Sequence, residues 1–158
     1  MTKEILCENI SKIYEGDGVK TPAVNNVRLT FTKGEFISII GPSGSGKSTL
    51  LSLIGTLDKP TNGTIFYDGI EVLKKGQRKV ADFRFQNIGF VFQQFHLLPT
   101  LTAFENVLTP LFGRKVSYNK KERAEKVLEQ MGLKDKMNAL PSQLSGGEFK
   151  WYPWWNYT

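Results

Sequence analysis

Gly41-Pro42-Ser43-Gly44-Ser45-Gly46-Lys47-Ser48-Thr49 has the spacing G-x-x-x-x-G-K-[ST] of a loop that cradles phosphate groups. The apolar run Phe36-Ile37-Ser38-Ile39-Ile40 before it reads as a buried strand, and Leu50, Leu53, Ile54 and Leu57 after it recur at helical spacing. The stretch is therefore expected to turn from a strand into a helix. Gly41, Gly44 and Gly46 permit backbone conformations that a side chain would forbid, so that successive N–H groups point at one anion. A helix opening near Lys47 adds unpaired N–H donors and the positive end of its dipole. Lys47 supplies a full charge for the β and γ phosphates, the Ser48 hydroxyl a ligand for Mg²⁺, and Thr49 a further phosphate contact. Such a loop marks a phosphate site rather than a biological task.

The 158 residues suffice for one domain with a sizeable core, or for one domain with a small appended lobe. With 40% apolar and 23% charged residues the composition is that of a soluble globular protein. No apolar run approaches the roughly 18 residues of a membrane span, and Met1-Thr2-Lys3-Glu4 does not open a secretory signal, so a cytoplasmic location is expected. The single cysteine, Cys7, excludes disulfides and cysteine-held metals and is expected as a buried, inert thiol. The net charge of +6 is spread along the chain, with only short pairs such as Lys74-Lys75 and Lys120-Lys121. That pattern fits a solvated surface better than a nucleic-acid interface.

Taken in order, residues 4–10 and 23–31 read as two strands, joined by a Gly-rich, charged connection over 14–22 that contains Tyr14. Tyr14 is either an ordinary surface tyrosine or a ring on which a flat base stacks. Asp58-Lys59-Pro60-Thr61-Asn62-Gly63 is a dense turn signal, and the strand 64–67 with Asp68-Gly69 resembles a hairpin. A charged helix over 77–86 precedes a second apolar run, Ile88-Gly89-Phe90-Val91-Phe92, expected as another buried strand ending at Gln93-Gln94. Helices follow over 103–112 and 119–131. The second has Asn119 at its N-cap, Glu122 three positions on, and Gly132 just past its end. The lone His96, between apolar residues, reads as structural. Pro141-Ser142-Gln143-Leu144-Ser145-Gly146-Gly147-Glu148 is a second Gly-Ser turn able to meet phosphate and open a helix. Residues 149–158 then change character, holding all three tryptophans and the helix-breaking Pro153.

Across residues 1–148 these motifs, in this order, resemble the nucleotide-binding subunit of ATP-binding-cassette transporters. Residues 41–49 resemble the family's Walker A loop, and Leu144-Ser145-Gly146-Gly147-Glu148 its signature motif. Gln93, closing Phe90-Val91-Phe92-Gln93, resembles its Q-loop glutamine, and Tyr14 falls where the family places an adenine-stacking aromatic. The run from Gly89 to Pro99 and the Leu-Ser-Gly-Gly-Glu ending look most like the lipoprotein-releasing and macrolide-export branch.

The resemblance implies an α/β P-loop NTPase core with an N-terminal antiparallel β subdomain and a helical subdomain, C-terminally incomplete. Core and β subdomain would occupy 1–93, the helical subdomain 94–143, the signature 144–148 and a non-family aromatic tail 149–158. It further implies ATP and Mg²⁺ as ligands, with Ser43, Ser45 and the rest of the loop, Ser145, Gly146 and Gly147 touching nucleotide, and Ser48 and Gln93 at the metal. Gln93 would be the catalytic reporter of the γ-phosphate. Two cassettes would pair head to tail and dock on a membrane permease at the inner face of the membrane, powering export or extraction.

Beyond residue 148 the sequence departs from the family, which continues with a Walker B aspartate, a water-orienting glutamate and a histidine switch. Phosphoryl transfer rests on positioning and charge stabilisation, so a chain without these groups is expected to be inactive alone. A truncated or frame-shifted transport ATPase is the expected origin. The competing expectations are a non-hydrolytic nucleotide-binding or interaction module with an aromatic docking tail, and a cassette acting on nucleic acid.

Overall fold

A single strand dominates the architecture. In the computed structural model, which describes residues 4–92 and 97–145, β1 (Glu4–Gly16) is the middle strand of a three-stranded antiparallel sheet in the order β2-β1-β3. Its neighbours are β2 (Val19–Thr32) and β3 (Asn62–Tyr67). The chain divides into two units, residues 1–88 and 89–158.

In the first unit, β1 and β2 form a long hairpin rather than two short strands separated by a loop over 14–22. The ladder runs to Gly16 opposite Val19, and Asp17 and Gly18 make the two-residue turn with φ of 49° and 75°. Positive φ at both turn residues matches the right-handed twist of the flanking strands, which explains why an Asp-Gly pair closes the hairpin here. A bulge sits at Asn9, where φ is 49° and β1 carries one residue more than either partner. This resets the alternation, so that Cys7 and Ile10, three apart, both point inward and are fully buried. Gly63, at φ 81°, passes so close to the bulge that a Cβ there would meet the carbonyls of Glu8 and Asn9.

Against this sheet pack α1 (Lys47–Ile54) and α2 (Gln77–Asn87). Leu50 and Leu53 of α1 and Val80 of α2 join Cys7, Ile10, Val24, Ile65, Tyr67 and Val72 in one core. The Tyr67 ring lies 4.8 Å from that of Phe83, and its hydroxyl donates to the Ile54 carbonyl at 2.6 Å. Burial, and secondarily the neighbouring Cys7, push the Tyr67 phenol up, so it stays protonated as that donor. The chain after β3 turns at Asp68-Gly69 and makes an isolated bridge from Tyr67 to Ile70, while β3 itself pairs with β1.

The two apolar runs expected as buried strands are not strands. Residues 36–40 and 88–92 make no ladder, and Phe36, Ile40 and Val91 are exposed, Phe36 to 99%. The reason is physical: a strand satisfies its backbone through a neighbour, and among the described residues none lies alongside either run.

The second unit is helical. α3 (Ala103–Leu108) begins with a capping box, Thr102 accepting from the Glu105 N–H at 3.2 Å while Glu105 accepts from the Thr102 N–H at 2.8 Å. The Glu105 carboxylate also accepts from the Thr102 hydroxyl at 2.9 Å, and these two bonds to it, first from the Thr102 backbone N–H and then from the hydroxyl, hold the carboxyl below its ordinary range. α3 stops short of Phe112, because Pro110 draws residues 109–111 into a tighter 3₁₀ turn. α4 (Lys120–Gln130) has Asn119 as its cap and ends with Gly132 at φ 70°. The bonds Gly132 N–H to Glu129 and Leu133 N–H to Leu128 complete the C-terminal cap. Ala103, Val107, Ala124, Val127, Leu128, Leu133 and Leu144 form this unit's own core.

Candidate functional site

The loop over 41–46 is shaped by two glycines. Gly44 and Gly46 take φ of 77° and 85°, whereas Gly41 does not adopt a left-handed conformation, contrary to the expectation for all three. Gly41 is constrained instead by closeness, since a Cβ there would stand 2.9 Å from Ser45 Oγ. At Gly46 both demands coincide: a Cβ would fall on the Ala23 carbonyl of β2. The loop therefore leaves the sheet at a fixed point, and Gly46 becomes the N-cap of α1 with no side chain covering the helix's first N–H groups.

Lys47, at the first position of α1, curls back into this loop. Its Nζ donates to the carbonyls of Gly41 at 2.9 Å and Pro42 at 2.6 Å, and to Ser45 Oγ at 3.2 Å. Ser43 within the loop and Ser48 at the second position of α1 are both exposed. Thr49 lies one position deeper, half-buried. Gly41, Ser45, Gly46 and Lys47 line a hollow of about 510 Å³ together with the apolar Val24, Val27, Ile39 and Leu50.

Tyr14 projects from β1, and the structure surrounds it with partners that no local motif announced. Lys12 Nζ stands 5.0 Å from the ring centroid and 2.7 Å from Asp58 Oδ1, and the Tyr14 hydroxyl donates to Asp58 Oδ2 at 3.2 Å. Burial alone would raise the Asp58 carboxyl; hydrogen bonds from Lys12, the Lys59 N–H and Tyr14, with the charge of Lys12, outweigh it and bring the carboxyl below its ordinary value. Lys12 and Tyr14 are two apart on a strand, which the sequence displays, but Asp58 lies 44 positions from Tyr14.

Ser145 follows the buried Leu144 in the second unit and is exposed. Gln93, His96, Gly146, Gly147 and the aromatic tail lie outside the described residues. Among the described residues, no group of three His, Cys, Asp or Glu side chains converges as a metal cage.

A family model described as ABC transporter matches residues 24–152, most of the chain. The chain belongs to the ABC transporter family. Among relatives, the ABC transporter ATP-binding protein YvrO of Bacillus subtilis is 48% identical over 141 residues, covering 89% of this cassette chain and 62% of YvrO. The lipoprotein-releasing system ATP-binding protein LolD of Aquifex aeolicus is 44% identical, covering 94% of this chain and 65% of LolD. The chain thus spans somewhat under two thirds of these curated relatives.

Among solved structures, a dimeric post-hydrolysis state of the ATP-binding cassette MJ0796, bound to ADP and Pi, superimposes with a TM-score of 0.82 at 40% identity. It covers 96% of this chain and 68% of that one. The fold is that of the P-loop NTPase cassette, of which this chain represents part. No helix among the described residues is long and apolar enough to cross a membrane.

Proposed function

We propose that this chain is the ATP-gripping part of an ABC transporter's nucleotide-binding subunit. One observation carries the reading: Lys47 Nζ is held by Gly41, Pro42 and Ser45 at the mouth of α1, a position where phosphate oxygens would exchange for those acceptors. The absence of any side chain on Gly46 against β2 fits a loop whose amides must approach an anion closely.

In this reading the 41–49 loop holds the β and γ phosphates, with Ser43, Ser45 and Thr49 as further contacts, and Tyr14 stacks on adenine. Ser48 and Gln93 would hold Mg²⁺, which when bound neutralises phosphate charge. Gln93 would report the γ-phosphate. Ser145, Gly146 and Gly147 would face the nucleotide of a second cassette in a head-to-tail pair, as the dimeric MJ0796 structures support by analogy. The core would extend over 1–93, the helical subdomain over 94–143 and the signature over 144–148. A membrane permease at the inner face of the membrane would be the other partner, with export or extraction as the task. LolD supports that branch by likeness.

Residues 1–158 carry no segment resembling the Walker B carboxylates or the switch histidine, so binding without turnover is the expected behaviour. Titration calorimetry with Mg²⁺ and ATP tests the reading: Lys47→Ala weakens binding by about tenfold or more, the loss of one charge-assisted contact. Equal affinity in the variant refutes the proposed grip. Phosphate release that vanishes in Lys47→Ala refutes the expected inactivity.

A further inference from the structure

We propose that Lys12 and Asp58 are positioning residues that hold the Tyr14 ring as a platform for a flat nucleobase, the base taking the ring face turned away from the Lys12 ammonium. The inference rests on the reading of the 41–49 loop as a triphosphate site and adds to it how the base end is organised.

The geometry is closed at three corners. Asp58 Oδ1 accepts from Lys12 Nζ at 2.7 Å and from the Lys59 N–H at 2.7 Å, while Oδ2 accepts from the Tyr14 hydroxyl at 3.2 Å. Lys12 Nζ also donates to the Lys59 carbonyl at 2.9 Å, so the ammonium is fixed from two sides and then lies 5.0 Å from the ring centroid. A tyrosine on an open strand surface samples several rotamers; here one face is occupied by a cation and the hydroxyl is tethered. The ring nevertheless remains 44% exposed, leaving area for a ligand. Ordering the platform before binding removes that entropy cost from the association step.

The same turn ties the platform to the phosphate helix. The Asp58 N–H donates to Ser52 in α1 at 3.2 Å, and the Thr61 N–H donates to Ser11 in β1 at 2.7 Å. Thr61 Oγ1 accepts from the Ile13 N–H at 3.0 Å. The turn over 58–61 is therefore fastened both to the strand bearing Tyr14 and to the helix that begins at Lys47. Spacing between base and triphosphate is set by these bonds.

Calorimetry on the full chain with two probes, ATP and inorganic tripolyphosphate, tests this. Lys12→Met and Asp58→Asn weaken ATP about threefold to tenfold and leave tripolyphosphate within about twofold, while Lys12→Arg retains most ATP affinity. Tyr14→Leu gives a similar ATP-selective loss, and adding Lys12→Met to it costs nothing more, because the lysine acts through the ring. If Lys12→Met fails to fold, Tyr14→Phe carries the test through its missing hydroxyl, with an ATP-selective loss of about twofold to threefold. Equal losses for both probes, no loss for either, or full additivity with Tyr14→Leu overturns the positioning role. Wild-type chain that binds neither probe overturns the triphosphate reading itself; tripolyphosphate bound as tightly as ATP leaves that reading standing and removes the platform.

Discussion

Gly46 is pressed against the carbonyl of Ala23, so the entrance to α1 and the edge strand β2 share one point of backbone contact. At Gly44, two residues earlier, φ is equally left-handed at 77°, but a Cβ there would meet nothing within 4 Å. The pair separates two costs. Gly44→Ala carries only left-handed strain, about 1 kcal/mol, whereas Gly46→Ala adds a backbone collision and should cost about 3 kcal/mol or more. Urea unfolding of both variants checks this; equal losses would mean that β2 yields freely.

Features set by neighbours in the chain were legible in the sequence. Gly44 and Gly46 of the 41–49 loop, the Asn119 and Glu122 cap and the Gly132 stop each act within one or two helical turns, and each stands where its local chemistry places it, Gly41 being the exception. Features set by distant partners were not. An apolar run becomes a strand only if another strand is beside it, and residues 36–40 and 88–92 carry the composition without such a neighbour among the described residues. Asp17-Gly18 was a readable hairpin signal, obscured by the charge around it. The salt bridge from Lys12 to Asp58 spans 46 positions, and no periodicity reports it.

Asn106 is the buried polar residue on which the start of the second unit hangs. Its Oδ1 accepts from the Leu98 N–H at 2.8 Å, and its Nδ2 lies within 3.1 Å of the carbonyls of Leu98, Leu101 and Thr102. Asn106→Leu strands those backbone groups in a nonaqueous setting and is expected to cost about 3 kcal/mol, more than one ordinary hydrogen bond. Asn106→Asp keeps the acceptor but loses the donors. Denaturant midpoints of the two variants check the assignment, and a loss under about 1 kcal/mol for Asn106→Leu would show that water replaces the amide.

Cys7 gives a pH dependence with a defined sign. Burial pushes its thiol up to about 11 from 9.0, so the fold favours the neutral form. Its contribution is complete below pH 9 and is lost as pH rises toward 11, because only the unfolded chain ionises readily in that window. The unfolding free energy, measured from pH 8 upward, should fall more steeply in wild type than in Cys7→Ala. Thiol labelling at pH 8 should likewise be slow until denaturant is added. Parallel slopes and rapid native labelling would both contradict the burial.

Phe36 and Leu53 offer the sharpest contrast between apolar residues of one unit. Phe36 is 99% exposed and Ile40 90%, while Leu53 is fully buried between α1 and the sheet. Hydrophobic composition alone would rank Phe36 first. Area removed from water ranks it last, since a side chain already in solvent gains nothing by folding. Phe36→Ser and Ile40→Ser should therefore change stability by no more than about 0.5 kcal/mol, against about 2 to 5 kcal/mol for Leu53→Ala. The same serine variants should bind less of an apolar dye, because the exposed patch is what the dye reads. A loss above about 2 kcal/mol in Phe36→Ser would show that the run is covered in solution, and a dependence of that loss on protein concentration would assign the cover to a second copy of the chain.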